Sequence, residues 1–531
     1  MTAYRKSRTA AAIALPVLLT AILQWRSGAY SSDLATNSDE PAHVVSGLMV
    51  HDYAARLLNL TALSLPVNPR AFAEAYYVHY PKVAIGHWPP SFYLIQAAWM
   101  LIVGRTKFAL LLLMLSTVAA TAVFVRLQVR RITASEIAAV CATLIFLILP
   151  ITQLSLASVM PDAFLGLLTG AAIIATGRML RREPYAWTMF WAIAIASVSI
   201  HARGGPVLMV AWLAIAISGA TARLKDRGLW LGTALCTCLA LPWLLFVHQA
   251  TRVSLALIAA KIAAFPLHAA HAFGFLPAAM ALLGVFVAPY RKEPFWVAVH
   301  GTVLANYIFF SVAIVPWADR YFVALLPACI LLTSGAWHWL ALQISARTGF
   351  SRAVVTGVLA LCTTIPCVLR GFPLVHSCND EYEEAAKQVM AGDAKNTVFL
   401  IAGDSICEGA FVSAVALLDD PGRHIVLRST KVLAKTDWSM SYYELLFRTP
   451  QEVAAFLATS PVSFVILQGG LPAMPHVALL RDAVRGTPAW IELSRSPNVR
   501  IYRRTLPLPV GPVTIRLDMR DSLNRFVEWT Q

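Results

Sequence analysis

Chemistry is first concentrated in Asn37-Ser38-Asp39-Glu40-Pro41-Ala42-His43, a few residues past the first long apolar run. Two adjacent carboxylates leaving a bilayer are suited to acid/base work, and Asp39 reads as a general base. Asp162, in Ser158-Val159-Met160-Pro161-Asp162, stands at the mouth of a span, where charge is costly unless used or paired. Asp319 is followed directly by Arg320 and reads as half of a local ion pair. The candidate cations are Lys82 and His87 ahead of Trp88-Pro89-Pro90, His201 and Arg203 in His201-Ala202-Arg203-Gly204-Gly205-Pro206, His248, Arg252, Lys261, and Arg320 beside Tyr321. Taken singly, Arg252 and Lys261 read as side chains snorkelling to lipid head groups. Taken together, acids and cations around an outward cavity describe a site for a phosphate-bearing substrate with a base nearby.

The elements that must position these residues are mostly membrane helices. Of 531 residues, 58% are hydrophobic and only 13% charged, a composition of polytopic membrane proteins. The formal charge of +15 invites a nucleic-acid reading, but the whole excess lies in residues 1–370, in short loops between apolar runs, while the remainder is close to neutral. That is positive-inside bias, and nucleic acid is not implied. Cys141, Cys236, Cys238, Cys329, Cys362 and Cys367 fall in apolar runs and read as small hydrophobes. Cys378 and Cys407 lie outside them, and their pairing is left open.

Arg5, Lys6 and Arg8 precede the run Ala10–Trp25, which reads as a first helix with a cytoplasmic N-terminus rather than a cleaved signal. A long loop follows, with an amphipathic stretch over Ala42–Leu60 that suits an interfacial helix. Trp88–Val103 decides the topology. If it does not span, Arg126/Arg130/Arg131, Arg178/Arg181/Arg182, Arg223/Lys225/Arg227, Arg291/Lys292 and Arg347/Arg352 all fall inside, so it is read as re-entrant or interfacial. Spans are then expected near Lys107–Val125, Ile137–Pro150, Met160–Gly177, Ala186–Ile200, Pro206–Gly219, Leu229–Val247, Ala272–Pro289, Phe295–Ile314, Tyr321–Leu342 and Ala353–Leu369. With the first helix the total is about eleven, which sends the C-terminus outside.

The expected organisation is a transmembrane domain over 1–370, with a large first external loop over 26–106, and a small extracytoplasmic α/β domain over 371–531. In that domain Thr397–Ala402, His424–Leu427 and Val462–Leu467 read as buried strands. They alternate with helical stretches at Glu408–Leu418, Gln451–Ala458 and Val477–Val484, with Trp490–Leu493 and Val499–Arg503 as edge strands. Gly403-Asp404-Ser405 resembles the nucleophile block of SGNH esterases, but no histidine follows His476 to complete it, so it reads as a strand-to-helix turn.

The chain resembles the GT-C superfamily of integral-membrane glycosyltransferases, in particular the branch of lipid A aminoarabinose transferases and protein O-mannosyltransferases. The resemblance rests on Asp39-Glu40, Pro89-Pro90, Pro161-Asp162, Arg203-Gly204-Gly205-Pro206, and Arg320-Tyr321 with Pro327 behind it, in that order over about the first 340 residues. It implies inverting transfer of a sugar from a polyprenyl-phosphate carrier to an extracytoplasmic acceptor (lipid, glycan or protein) at a bacterial inner membrane. By the same resemblance Asp39 is the base, and Glu40 and Asp162 orient acceptor or sugar. Lys82, His87, His201, Arg203, Arg320 and Tyr321 are the groups offered to the carrier phosphate. Two positions depart from the pattern: Trp88 stands where many relatives have a lysine before Pro-Pro, and Arg203-Gly204-Gly205-Pro206 replaces Lys-Gly-Pro. No metal ligand is assigned; a divalent metal, used by some members, is not favoured with so few acids. The alternative reading is a transporter or flippase of lipid-linked sugars, which would share the cationic rim but usually shows internal repeats that are not seen here.

Overall fold

The structure is a computed structural model that describes residues 2–530 except 62, 64, 85, 248–254, 288–292, 314–317, 372–374, 376–380, 392–396, 437–441, 471–473, 486, 510–513 and 519–525. His248, Arg252, Arg291, Lys292 and Cys378 therefore lie outside the described residues. Two compact units are defined by their internal contacts. One comprises Met1–Gly28, Trp88–Phe92 and Leu111–His376; the other comprises Ala29–His87, Tyr93–Leu110 and Ser377–Gln531. The first loop is thus grouped with the C-terminal residues, a division that sequence continuity does not announce.

The first unit is helical. Lys107–Thr133, Asp162–Leu180, Pro294–Val312 and Arg352–Arg370 are long and apolar enough to cross a membrane, and the bent pair Glu136–Ile148 and Pro150–Ala157 would make a fifth span among the described residues. The expected span Ile137–Pro150 is met by helix Glu136–Ile148, and the break falls at its end. Pro150 cannot continue the backbone ladder, and the chain turns by 64° there. Helix Leu255–Phe273 falls in a stretch where the sequence reading had no span. Arg352–Arg370 shows why these helices belong in lipid. Val354, Val358, Leu361, Ile365 and Leu369 form an exposed apolar stripe, while the buried face carries Gly357, Ala360, Thr363 and Thr364. An outer face more apolar than the inner one is stable only against hydrocarbon. Small residues bring helices close: a Cβ on Gly284 would lie 2.1 Å from the Leu332 carbonyl oxygen. Helix Ser91–Val103 has 13 residues, about 20 Å of rise, which falls short of a ~30 Å hydrocarbon core.

The second unit is built on a five-stranded sheet of order β2-β1-β5-β7-β6, from β1 (Val398–Ala402), β2 (Ile425–Arg428), β5 (Val462–Gln468), β6 (Trp490–Arg495) and β7 (Val499–Arg504). β3 (Ala434–Thr436) pairs with β4 (Tyr443–Leu445), and β8 (Thr514–Asp518) with β9 (Phe526–Thr530). β1 runs parallel to β2 and β5, with Phe399 opposite Val426 and Phe464. Its continuous run Val-Phe-Leu-Ile-Ala is buried throughout, as a central parallel strand requires. β7 and β6 complete the sheet antiparallel. The α/β alternation expected from the sequence is present, with the strands and helices close to their expected limits.

Helix Glu40–Leu57 corrects the interfacial assignment of Ala42–Leu60. Its first half, Glu40 to Leu48, is wholly buried, and it packs on helix Ser405–Leu418 rather than presenting one polar face. Arg105 ties the same region together. Its guanidinium donates to both oxygens of buried Asp52, at 2.9 and 3.2 Å, and to the carbonyls of Ala416 and Leu417, at 2.6 and 3.0 Å. A cation on the last carbonyls of a helix satisfies groups that have no intrahelical partner. Burial alone would raise the Asp52 carboxyl, but hydrogen bonding with His51 and the Arg105 charge outweigh it and hold it below the usual range.

Candidate functional site

Within the first unit, Asp162, His201, Arg203 and Tyr321 come together from three separated stretches. Asp162 opens helix Asp162–Leu180 and is buried. The Ile200–His201 step breaks from helix into an extended backbone, and a short turn over Ala202–Gly204 returns the chain to helix Pro206–Ser218. Gly204 is required at that return, because a Cβ would lie 2.2 Å from the Ser197 carbonyl oxygen. The turn presents Arg203, which is buried, donates to Asp162 Oδ1, and lies 4.1 Å over the Tyr321 ring. His201 Nδ1 accepts the Arg203 backbone N–H at 3.1 Å. A neutral imidazole has one acceptor nitrogen, so Nε2 carries the proton, and its 3.2 Å approach to Arg203 Nη2 is contact rather than a hydrogen bond. Arg320 lies 5.5 Å from the same Tyr321 ring.

Asp319 does not pair with Arg320 as expected. Neighbours in the turn Asp319–Ala324 point apart, and Asp319 meets His271 at 3.2 Å instead. Beside the arginine cluster an apolar groove of about 510 Å³ is walled by Pro89, Leu208, Met209, Leu239 and Phe309, with Ala202 and Gly205 on either side of Arg203 in its lining. A fixed cation at the edge of an apolar groove suits an anion that carries a long hydrocarbon tail.

Within the second unit, Asp39 is half-buried at the N-cap of helix Glu40–Leu57, with no capping bond from its side chain. Its backbone N–H donates to Asn37 Oδ1 at 2.9 Å. Glu40 is fully buried, and its Oε2 accepts the Thr36 N–H at 2.7 Å, so it holds the turn that presents Asp39. Lys82 is buried, with Nζ donating to the Ser405 carbonyl at 3.4 Å. Burial pushes its ammonium down to about 7; Arg428 adds to the push, while Glu408 and Asp39 oppose it. Gly409 makes the close packing feasible, since a Cβ there would meet Pro41 Cγ at 2.8 Å and Lys82 Cε at 3.2 Å. His87 is half-exposed, its backbone N–H donating to the Ala84 carbonyl at 3.3 Å.

The sequence reading missed Glu408 and Arg428. Glu408 is fully buried and accepts from Arg428 Nε (2.8 Å), Ser429 Oγ (2.8 Å) and the Thr430 N–H (2.9 Å). The available signal was a lone acid inside the apolar helix Ser405–Leu418 and a lone cation ending the apolar strand β2, since buried charges need partners.

The same network shows why Ser429 is no activated nucleophile. Its hydroxyl donates to Glu408, so at 3.0 Å it accepts from His476 Nε2–H, and His476 Nδ1 accepts from the Tyr443 hydroxyl at 2.8 Å. The histidine is a donor to the serine, the reverse of a general base. Gly403-Asp404-Ser405 is a turn: Asp404 caps helix Ser405–Leu418 by accepting the N–H groups of Ile406 and Cys407. Cys407 is buried. Among the described residues no group of three or more His, Cys, Asp or Glu is arranged to hold a metal ion.

The chain has the fold of the GT-C integral-membrane glycosyltransferases. It is similar to ArnT, a lipid A aminoarabinose transferase, from Cupriavidus metallidurans. Against the structure of that protein bound to undecaprenyl phosphate the TM-score is 0.56 at 12% identity, covering 92% of this chain and 97% of that one. Against its apo structure the TM-score is 0.57 at 13% identity, covering 93% and 98%. No model of a known protein family matches the sequence, and no curated protein matches it.

Proposed function

We propose that this chain is an inverting glycosyltransferase. It moves a hexosyl or pentosyl group from a polyprenyl-phosphate carrier to a lipid, glycan or protein acceptor on the extracytoplasmic face of a bacterial inner membrane. The N-terminus is then cytoplasmic, and the C-terminal α/β domain extracytoplasmic. The observation that carries the reading is Arg203, fixed by Asp162 and Tyr321 between two residues, Ala202 and Gly205, that line an apolar groove. A prenyl chain suits such a groove and its phosphate suits the guanidinium; the similarly folded ArnT is itself bound to undecaprenyl phosphate in one structure.

In this mechanism the acceptor oxygen attacks the anomeric carbon on the face opposite the phosphate. Asp39 takes the hydroxyl proton, and the carbon–phosphate oxygen bond breaks to release the polyprenyl phosphate. Charge grows on that phosphate as the bond breaks. Permanent cations such as Arg203 and Arg320 stabilise it without having to gain or lose a proton. His201 and Tyr321 orient Arg203, and Asp162 holds it in place. Lys82 and His87 are the further candidates for the phosphate, and Glu40 acts through the turn that presents Asp39.

The test is purified full-length protein with labelled polyprenyl-phosphate sugars and extracted cell envelope. Asp39→Asn should lower transfer by ~10²–10⁴-fold. Equal transfer by the two proteins removes Asp39 as base. Movement of lipid-linked sugar across vesicles without transfer supports the flippase reading instead.

A further inference from the structure

A second cavity, of about 700 Å³, lies at the far end of helix Asp162–Leu180 from Asp162. Arg178, in its lining, is about 24 Å along the helix axis from the acid. The cavity is therefore distinct from the Arg203 groove, and the proposed transfer reaction does not use it.

Its lining is rich in donors that the protein leaves unspent. Arg178 and Arg181 share one carboxylate, donating to Glu183 at 2.5 and 2.7 Å, so one positive charge of that trio is unbalanced. Arg131 is exposed and makes no hydrogen bond or ion pair with any described residue. The Gln128 amide, 9% exposed, and the Trp296 indole, 7% exposed, likewise have no side-chain hydrogen bond among the described residues. These N–H groups face the cavity without an acceptor among the described residues, so an acceptor-rich ligand can take them. Glu293, exposed at the rim, is the other acid of the lining. Trp296 and Trp339 add aromatic wall, the residue type that sits at the boundary of head groups and hydrocarbon.

We propose that this cavity binds the head group of an anionic phospholipid. Its phosphate oxygens accept from Arg131 and the unspent N–H groups, and its glycerol and upper acyl carbons lie on Trp296 and Trp339. A lipid is favoured over free phosphate because inorganic phosphate has no use for the aromatic wall.

The test is native mass spectrometry of the purified full-length protein titrated in mixed micelles with phosphatidylglycerol, phosphatidylcholine or inorganic phosphate. The wild type should retain phosphatidylglycerol about tenfold better than phosphatidylcholine. Arg131→Gln should lower that retention about tenfold, with no change in melting temperature, because Arg131 is exposed and has no described protein partner. Trp339→Leu, an independent variant, should weaken both lipids severalfold. Equal retention of the two lipids, unchanged retention in both variants, or displacement of the lipid by millimolar inorganic phosphate would overturn the proposal.

Discussion

The two charged clusters solve opposite problems. In the first unit Arg203 is paired with Asp162 and stacked on Tyr321, so its direction is fixed, and a guanidinium keeps its charge whatever its partner. In the second unit Lys82 is buried beside another cation, and the acid that favours its charge most, Glu408, has its bonds committed to Arg428, Ser429 and Thr430. Lys82 is left titrating at about 7, with Asp39 within electrostatic reach. A leaving phosphate needs charge that does not depend on pH, whereas a proton acceptor works in surroundings that can change protonation near neutrality. Under the proposed transfer reaction, the first demand suits the planar guanidinium of Arg203 and the second the surroundings of Lys82.

The sharpest way to break this comparison is Arg203→Leu. Transfer should fall by ~10³-fold, about 4 kcal/mol, by the same factor at every pH from 6 to 9. The variant should also lose ~3–5 kcal/mol of stability, because Asp162 is left buried without its cation. Adding Asp162→Leu should restore the melting temperature without restoring transfer; recovery of both would make the pair merely structural.

Arg105→Met tests whether the second cluster depends on its scaffold. It strands the Asp52 carboxylate and the carbonyls of Ala416 and Leu417, and should cost ~3–5 kcal/mol by denaturant melting. Asp52 also sets an acid limit. Its folded carboxyl titrates below the unfolded one, so the stability it contributes is present above the unfolded value and is lost as pH falls through the folded one.

Lys82→Met isolates the titrating group. Between a folded value of about 7 and an unfolded value of ~10.4, the unfolded chain holds a proton that the folded chain has released, so stability rises with pH across that window. The wild type should gain about 2–3 kcal/mol between pH 7 and 9, and the variant should show a flat profile. An equal slope in both proteins would show that Lys82 does not titrate there. Glu40→Gln is the smallest expected effect, ~1 kcal/mol or less in stability and within about threefold in transfer, since the amide oxygen can still accept from Thr36.

Much of the fold was legible along the chain. Apolar runs announced helices long enough to cross a membrane, such as Lys107–Thr133 and Asp162–Leu180, and β1, β2 and β5 with their intervening helices were readable because short buried strands differ in length and composition from amphipathic helices. Helix Glu40–Leu57 was misread because its apolar spacing is the same whether it packs on lipid or on another helix; only its burial against Ser405–Leu418 separates the two. The break at Pro150 coincides with the end of the expected span Ile137–Pro150, whereas helix Pro150–Ala157 beyond it was not read as a separate element.

The sequence by itself determined that the chain lives in a membrane, that its positive charge gathers at the ends of apolar runs, and that acids such as Asp39 and Asp162 are rare enough to matter. These follow from the cost of placing charge in hydrocarbon, which any stretch of sequence carries locally. In the structure several of those cations, such as Arg130, Arg131 and Arg347, lie in the last turns of helices rather than in loops. Only the tertiary structure decided which cation meets which acid. Asp162 takes Arg203 from 41 residues away, while Asp319 passes over the adjacent Arg320 for His271. It also decided that Glu408 and Arg428 hold the surroundings of Lys82. Those pairings depend on side-chain direction and burial, which are set by helices and strands distant in sequence and closely packed in space.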